Sequence, residues 1–269
     1  MQRETIESRD GTRLSLVRWE PPAESKGQVL IVHGLAEHMG RYEHVAAALV
    51  SAGFAVAGVE LRGHGDSDGQ RGHVDHWEQY VEDVFAAVEA LGGQPFLVTH
   101  SMGGLVSLDA LRSGLSVSGI ALSNPLVGVS VEAPAIKIAA AGMLSRFLPK
   151  LGLDNELDVR QISRDPDVVA RYEADPKVYS KITSRWYTEM MAAIDRVHAW
   201  APQANTPALL QQGDADSITS PSDARSLYQA WGHAEKHTVV YPDLYHEIFN
   251  EPEQDQVFAD LSAWLSSRA

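Results

Sequence analysis

The sequence predicts an α/β fold with a doubly wound, mostly parallel sheet and an inserted helical cap. Short apolar runs alternate with amphipathic helical patterns along most of the chain. This alternation stops after about residue 125 and resumes near residue 187. One apolar run, residues 96–98, ends at a glycine-rich turn that carries Ser101. These observations together indicate one sheet domain interrupted by a separate segment.

Composition restricts the classes of protein that this chain can form. With 269 residues, 44% of them hydrophobic, the chain can bury one substantial core. A net charge of -14 gives little attraction for phosphate backbones, so we expect no nucleic-acid partner. Cysteine is absent, which excludes disulfides and thiolate chemistry. The charged N-terminal residues and the lack of an apolar run of about 18 residues predict a cytoplasmic protein.

The first part of the chain contains regular sheet elements. Residues 5–8 and 14–19 predict a hairpin, because an Asp-Gly pair lies between them. Residues 29–32 and 54–59 are continuous apolar runs, as buried parallel strands have, and residues 43–52 between them predict a helix. A longer amphipathic helix follows, with apolar positions at Trp77, Tyr80, Val81, Val84, Phe85, Val88 and Leu91.

A long gap separates two strand candidates in the second part. Residues 117–122 predict a strand, and the next candidate begins only at residue 208. We therefore expect residues 126–186 to form the inserted cap, with residues 1–125 and 187–269 forming the sheet domain. The remaining pattern predicts helices at residues 185–200, 222–231 and 252–265 and strands at residues 208–212 and 238–241.

Ser101 lies where a strand period changes to a helix period. After it, Leu105, Leu108 and Leu111 recur at helical spacing. A serine in such a turn projects its hydroxyl outward, and the amides of Met102 and Leu35 can face an oxyanion. This arrangement is the nucleophile elbow of α/β-hydrolases, although Thr99 replaces the first glycine of the G-x-S-x-G pattern. The alternative is a glycine-rich turn with a surface serine.

A nucleophilic serine requires an imidazole base and a carboxylate that orients the imidazole. In this fold the chain order is serine, acid, histidine, and the histidine follows the last strand. Of the eleven histidines, only His246 follows residues 238–241. The strand at residues 208–212 leads to Asp214 and Asp216. We favour Asp216 because the turn before it places it nearer to the histidine loop, which leaves Asp214 to bind local amides.

The predicted cap carries an apolar amphipathic segment. Its apolar residues are Ile136, Ile138, Ala139, Met143, Leu144, Phe147 and Leu148. One interpretation is a lipid entrance, in which Leu144 and Phe147 bind an acyl chain and the cap makes transient contact with a membrane or micelle. The other interpretation is that this segment only packs on the sheet domain.

Five sequence blocks in this order resemble the monoacylglycerol lipase family, within the group that includes lysophospholipases and serine aminopeptidase-like hydrolases. The blocks are HGLAEHMGRY at residues 33–42, RGHGDS at 62–67, HSMGG at 100–104, QGDAD at 212–216 and YHE at 245–247. The cap resembles the family's at residues 148–151 and 172–176.

This resemblance implies functional residues. It implies a catalytic triad of Ser101, Asp216 and His246. It also implies an oxyanion hole formed by the amides of Leu35 and Met102. The resemblance further implies that Glu37, Arg41 and Tyr172 lie near the polar glycerol end of the substrate. It implies that apolar cap residues line the acyl channel. The alternative for Glu37 and Arg41 is that they form an ion pair on the protein surface.

The chain departs from the family's sequence pattern at two positions. Thr99 stands where the family has glycine, and Thr219 stands where animal relatives carry cysteine, so thiol reagents have no target there.

The leading hypothesis is hydrolysis of fatty-acid esters, first of all monoacylglycerols, through an acyl-serine and without a cofactor or metal. A lysophospholipase or general carboxylesterase is the alternative enzyme. A non-catalytic binding protein on the same fold is the remaining alternative.

Overall fold

The computed structural model describes residues 1–20, 24–130, 142–155 and 157–269. The strands are β1 (Gln2–Glu7), β2 (Arg13–Trp19), β3 (Gln28–Val32), β4 (Ala55–Glu60), β5 (Phe96–His100), β6 (Gly119–Ser123), β7 (Gly152–Asp154), β8 (Lys181–Thr183), β9 (Ala208–Gly213) and β10 (Lys236–Tyr241).

Eight of these strands form one sheet in the order β1-β2-β4-β3-β5-β6-β9-β10. Strands β1 and β2 pair antiparallel, and β2 pairs antiparallel with β4. The other neighbours in this sheet, β4-β3-β5-β6-β9-β10, all pair parallel. The predicted doubly wound, mostly parallel sheet is therefore confirmed. Strand β10 begins earlier than the sequence indicates because Lys236 pairs with Ala208 of β9.

Helices cover both faces of the sheet. They are α1 (Glu43–Ser51), α2 (Glu78–Leu91), α3 (Met102–Arg112), α4 (Pro166–Ala174), α5 (Ser184–Trp200), α6 (Pro221–Ala230) and α7 (Gln254–Ser266). Helices α1 and α7 pack on one face, and α2, α3, α5 and α6 pack on the other. Among the described residues, none of the helices has both the length and the hydrophobicity that a membrane-spanning segment requires.

The central strands explain why their sequences are continuously apolar. In β3, Val29 and Ile31 enter the core under α1 and α7, while Leu30 and Val32 enter the core on the opposite face. All four side chains are completely buried. A strand covered on both faces has no solvent-facing positions, so the usual alternation of apolar and polar residues disappears.

The predicted cap region contains a small sheet that the sequence did not indicate. Strands β7 and β8 pair antiparallel as a separate two-stranded sheet. Residues 142–147 are helical, as a helical cap predicts. A small core formed by Ile162, Val168 and Tyr172 supports α4. The limits of the cap remain a prediction. Three of its predicted apolar residues lie outside the described residues, namely Ile136, Ile138 and Ala139.

A buried ion pair fixes the loop that follows β4. The guanidinium of Arg62 donates to both carboxylate oxygens of Asp83 on α2, and Nη2 lies 2.6 Å from Oδ1. Its Nη1 donates to Asp10 in the hairpin turn at 2.6 Å. The Asp83 side chain is completely buried. The arginine of the RGHGDS block therefore joins the hairpin, the loop and a helix.

Asp83→Asn should lower the free energy of unfolding by about 3 kcal/mol, because it removes the completely buried carboxylate that pairs with Arg62 and leaves only the partly exposed Asp10 as a carboxylate partner. Urea denaturation measures this loss. Asp68→Asn is the matched control, because it breaks the exposed pair of Asp68 with Arg13 and should scarcely move the midpoint. Equal destabilisation by the two variants would contradict a structural role for the buried pair.

Candidate active site

Ser101 occupies a strained turn between β5 and α3. Its φ of 50° and ψ of -119° lie outside the regions that ordinary residues prefer. The start of α3 packs tightly on the end of β3, because a Cβ added at Gly103 would lie 2.3 Å from the Val32 carbonyl oxygen. Only glycine permits this approach. Thr99, in place of the usual glycine, is buried and donates its hydroxyl to the Ala121 carbonyl at 3.0 Å.

His246 and Asp216 meet at the carboxyl edge of the sheet. His246 lies in the histidine loop, residues 242–253, and Asp216 in the acid loop, residues 214–220. Nδ1 of His246 donates to Oδ2 of Asp216 at 2.9 Å, which leaves Nε2 able to accept a proton. Asp214 instead accepts a hydrogen bond from the backbone amide of residue 243. This geometry agrees with the preference for Asp216 over Asp214.

Three further hydrogen bonds hold the Asp216 carboxylate. Oδ1 accepts from the amides of Ile218 at 2.8 Å and Thr219 at 3.1 Å. Oδ2 accepts from the Thr219 hydroxyl at 2.6 Å. From the sequence, Thr219 is noted only as standing where animal relatives carry cysteine, whereas in the structure its hydroxyl orients the Asp216 carboxylate. Its position three residues after the acid is a signal that could have suggested this contact.

The surroundings shift both pKa values in the direction that a general base needs. Burial alone would raise the pKa of Asp216, but His246 and the hydrogen bonds from Thr219 and Ile218 hold it below 3.8. Burial alone would lower the pKa of His246, but Asp216, and after it Glu247, raise it above 6.5. Asp216 is therefore ionised near neutral pH, and the imidazole accepts a proton more readily than a free histidine does.

His100, the residue directly before Ser101, contacts this pair. Its ring centroid lies 4.7 Å from that of His246. Its Nδ1 lies 3.2 Å from the carbonyl oxygen of Ser123, on the neighbouring strand. Burial, and next the charge of His246, lower the pKa of His100 to about 4. His100 is therefore neutral at pH 7 and adds no charge next to His246.

The loop after β3 borders the serine. The Gly34 amide donates to Oε1 of Glu37 at 2.6 Å, and a Cβ added at Gly34 would lie 3.2 Å from the Ser101 Cβ. Leu35 follows directly in this loop, and Met102 is the first residue of α3. Leu35 therefore follows a residue that lies close to Ser101, and Met102 follows Ser101 itself.

Arg41 lies between two carboxylates. Its Nη1 donates to Glu37 Oε2 at 2.7 Å, and its two terminal nitrogens donate to both oxygens of Glu247. Its guanidinium carbon lies 4.6 Å from the centroid of the Tyr172 ring. The side chains of these charged residues are at most 11% exposed, so the surface ion pair considered from sequence is wrong. Burial alone would raise the pKa of Glu37, but Arg41 and nearby histidines lower it to about 2.

Asn124, directly after β6, joins the histidine loop to the end of β9, where the acid loop begins. Its Nδ2 donates to the carbonyl oxygens of His246 at 2.7 Å and Tyr245 at 3.0 Å. Its Oδ1 accepts from the Gly213 amide at 2.9 Å. This role was not predicted from the sequence. A polar residue directly after a buried parallel strand is a signal that could have suggested it, because such strand ends meet at one edge.

The two predicted acyl-binding residues differ in exposure. Leu144 is half-buried, whereas Phe147 is 71% exposed and has the Arg146 guanidinium 5.9 Å from its ring. Met143 and Leu148 are exposed as well. The described part of this segment therefore presents apolar side chains to solvent.

The doubly wound sheet and the strained strand-to-helix turn at its centre define an α/β-hydrolase. A family model described as serine aminopeptidase, S33, matches residues 23–253, and the chain belongs to this family.

Several relatives share nearly the whole chain. A monoacylglycerol lipase of Mycolicibacterium smegmatis is 35% identical over 264 residues, which are 96% of this chain and 94% of the relative. A human monoglyceride lipase is 32% identical over 269 residues, covering 96% of this chain and 88% of the relative. A monoacylglycerol lipase structure from Paleococcus ferrophilus superposes with a TM-score of 0.88 at 34% identity, covering 95% of this chain and 99% of that one. The family and these relatives show that the chain is a carboxylic ester hydrolase, and the non-catalytic alternative is not favoured.

Asp216→Asn should lower kcat by roughly 10⁴-fold, because an amide at this position favours the wrong tautomer of His246. Asp214→Asn is the matched control and should retain most of the activity, since it only alters a contact with a backbone amide. Steady-state hydrolysis of a soluble ester, at equal concentrations of folded protein, compares the two variants. The opposite ranking would assign the acid to Asp214.

Proposed function

We propose that this protein is a serine hydrolase that cleaves carboxylic esters of fatty acids, with monoacylglycerols as its main substrates. The observation that carries the proposal is the hydrogen bond between His246 and Asp216 beside the strained turn of Ser101. The monoacylglycerol lipases among the relatives support the substrate class. A lysophospholipase or general carboxylesterase remains the alternative.

In the first half of the reaction, Ser101 Oγ attacks the ester carbonyl carbon while His246 Nε2 takes the serine proton. Asp216 stabilises the imidazolium that forms. The amides of Leu35 and Met102 donate hydrogen bonds to the oxyanion of the tetrahedral intermediate. The intermediate then collapses, the ester C–O bond breaks, and His246 gives its proton to the departing alcohol. The product that remains bound is an acyl ester of the serine.

In the second half, a water molecule replaces the alcohol. His246 Nε2 removes a proton from this water as the water oxygen attacks the acyl carbon. The same amides stabilise the second oxyanion, and its collapse breaks the bond to Ser101 Oγ. The proton on His246 returns to the serine oxygen, which frees the fatty acid and restores the enzyme. No cofactor or metal takes part in these steps.

The buried charge cluster of Glu37, Arg41 and Glu247 favours a neutral glycerol end. Glu37, Arg41 and Glu247 together carry a net charge of one negative, and the guanidinium already donates to both carboxylates. Such a cluster repels the phosphate of a lysophospholipid but tolerates glycerol hydroxyls. We therefore place Glu37, Arg41 and Tyr172 near the polar end of the substrate.

The exposed apolar side chains of the cap suit contact with a lipid surface. Met143, Phe147 and Leu148 are each more than half exposed, at 66%, 71% and 55%. Exposed apolar groups gain free energy when they leave water, so transient contact with a membrane or micelle at this surface would be favourable. We propose that the same segment leads the acyl chain toward Ser101. The cytoplasmic location remains a prediction from the sequence.

Ser101→Ala tests the function directly. It should lower ester hydrolysis by roughly 10³-fold or more and abolish labelling by a fluorophosphonate, because the variant lacks the nucleophile. Comparing wild-type rates on a monoacylglycerol, the matching lysophospholipid and a short p-nitrophenyl ester identifies the substrate class. Retained activity in the folded variant would refute the serine assignment. Faster turnover of the lysophospholipid would favour the alternative enzyme.

Phe147→Glu and Leu144→Glu should depress hydrolysis of long-chain esters while sparing short-chain esters. Each methylene removed from water contributes about 0.8 kcal/mol, so loss of an apolar path affects long chains most. The readout is kcat/KM across an acyl-length series. Lys150→Glu is the control, because Lys150 is an exposed charged residue of the same region. Equal losses for long and short esters would make the segment structural scaffolding only.

A further inference from the structure

A cap segment runs along the histidine loop. This segment, residues 161–164, is here called the cap strip. The His246 amide lies 3.4 Å from the Gln161 carbonyl oxygen, and the Glu247 amide donates to the Ile162 carbonyl at 2.8 Å. The backbone amides of His246 and of Glu247, the residue after it, are therefore bound to the cap as well as connected to the sheet domain.

Glu251 makes the same connection through its side chain. Its carboxylate is completely buried. Oε1 accepts from the Tyr245 amide at 2.8 Å, and Oε2 accepts from Nε of Arg164 at 3.0 Å. Tyr245 directly precedes His246, and Arg164 is the last residue of the cap strip. One buried carboxylate thus links the strip to the backbone next to the imidazole.

The cap strip also contacts the acid loop. Ile162 belongs to the small cap core with Tyr172, and Ile218 of the acid loop packs against this core. The Ser217 hydroxyl donates to the side chain of Gln161 at 2.9 Å. A displacement of the strip would therefore reach both partners of the imidazole–carboxylate hydrogen bond.

We propose that Glu251 and Arg164 are positioning residues that hold the histidine loop on the cap strip, so that His246 is aligned with Asp216 only while the strip is docked. This inference rests on the proposed catalytic triad and goes beyond it, since neither side chain touches the reacting atoms. A displacement of about 1 Å at a catalytic group is enough to cost roughly 100-fold in rate.

Glu251→Gln is the first test. The Tyr245 amide and the Arg164 guanidinium donate to different oxygens of Glu251, and glutamine has an NH2 donor in place of one of them, so one side of the connection is lost while the side-chain volume is kept. We expect kcat on a short p-nitrophenyl ester to fall roughly 10- to 100-fold with little change in KM. Glu253→Gln is the matched control, because Glu253 also pairs with Arg164 but is 50% exposed. We expect it to retain wild-type kcat.

The pH profile separates positioning from a simple charge effect. The groups that face His246 are Asp216, Glu247, Glu37 and His100. Arg164→Met removes a positive charge, which by electrostatics alone would raise the pKa of His246 and move the acidic limb of kcat/KM to higher pH. A loosened hydrogen bond to Asp216 lowers that pKa, so we expect the limb to move to lower pH.

The double variant completes the experiment. Because both residues form one connection, Glu251→Gln combined with Arg164→Met should cost no more than the larger single loss. Additive losses, a shift of the limb to higher pH, or unchanged kcat despite a lower melting temperature would each overturn the inference. If Glu251→Gln does not fold, Arg164→Met alone decides. A wild-type protein that neither hydrolyses esters nor reacts with a fluorophosphonate would instead refute the proposed function.

Discussion

The guanidinium of Arg41 holds together two loops from opposite parts of the chain. One carries Glu37 and borders the serine, and the other carries Glu247 and the imidazole. In a buried setting, each of these charges is tolerable only with its partner in place. Since the charges meet at fixed distances, the loops on the two sides of the strained Ser101 turn cannot move independently. The positions of the reacting groups thus depend on this ion pair.

Much of the fold could be predicted because its causes are local or periodic. Strands such as β3 are buried on both faces, which produces the continuous apolar runs seen in the sequence. The turn at Ser101 requires glycine at a fixed spacing, and chain order then selects His246 from eleven histidines. The choice of the acidic residue was less certain from the sequence, because Asp214 and Asp216 are only two residues apart. The direction of the turn after β9 was the one argument that favoured Asp216.

The remaining features depend on contacts that have no sequence period. Asn124 and Thr219 hold the catalytic loops through side-chain hydrogen bonds, but as single polar residues near strand ends they resemble ordinary loop residues. The burial of Arg41 follows from the packing of Tyr172 above it, which no local pattern encodes. The connection of Glu251 to Arg164 joins residues separated by 87 positions. Such pairs become visible only when the chain is folded.

The long sequence separation of these contacts also affects how the protein reaches its native state. Arg41 and its partner Glu247 are 206 residues apart, so a ribosome must synthesise most of the chain before the pair can form. Contacts of this kind slow folding because the loop between them must close first. Until then, Glu37 and Arg41 remain hydrated, and the strained serine turn has no support from the C-terminal loops. Enzymatic activity is therefore a late event in biogenesis, and its appearance reports completion of the whole fold.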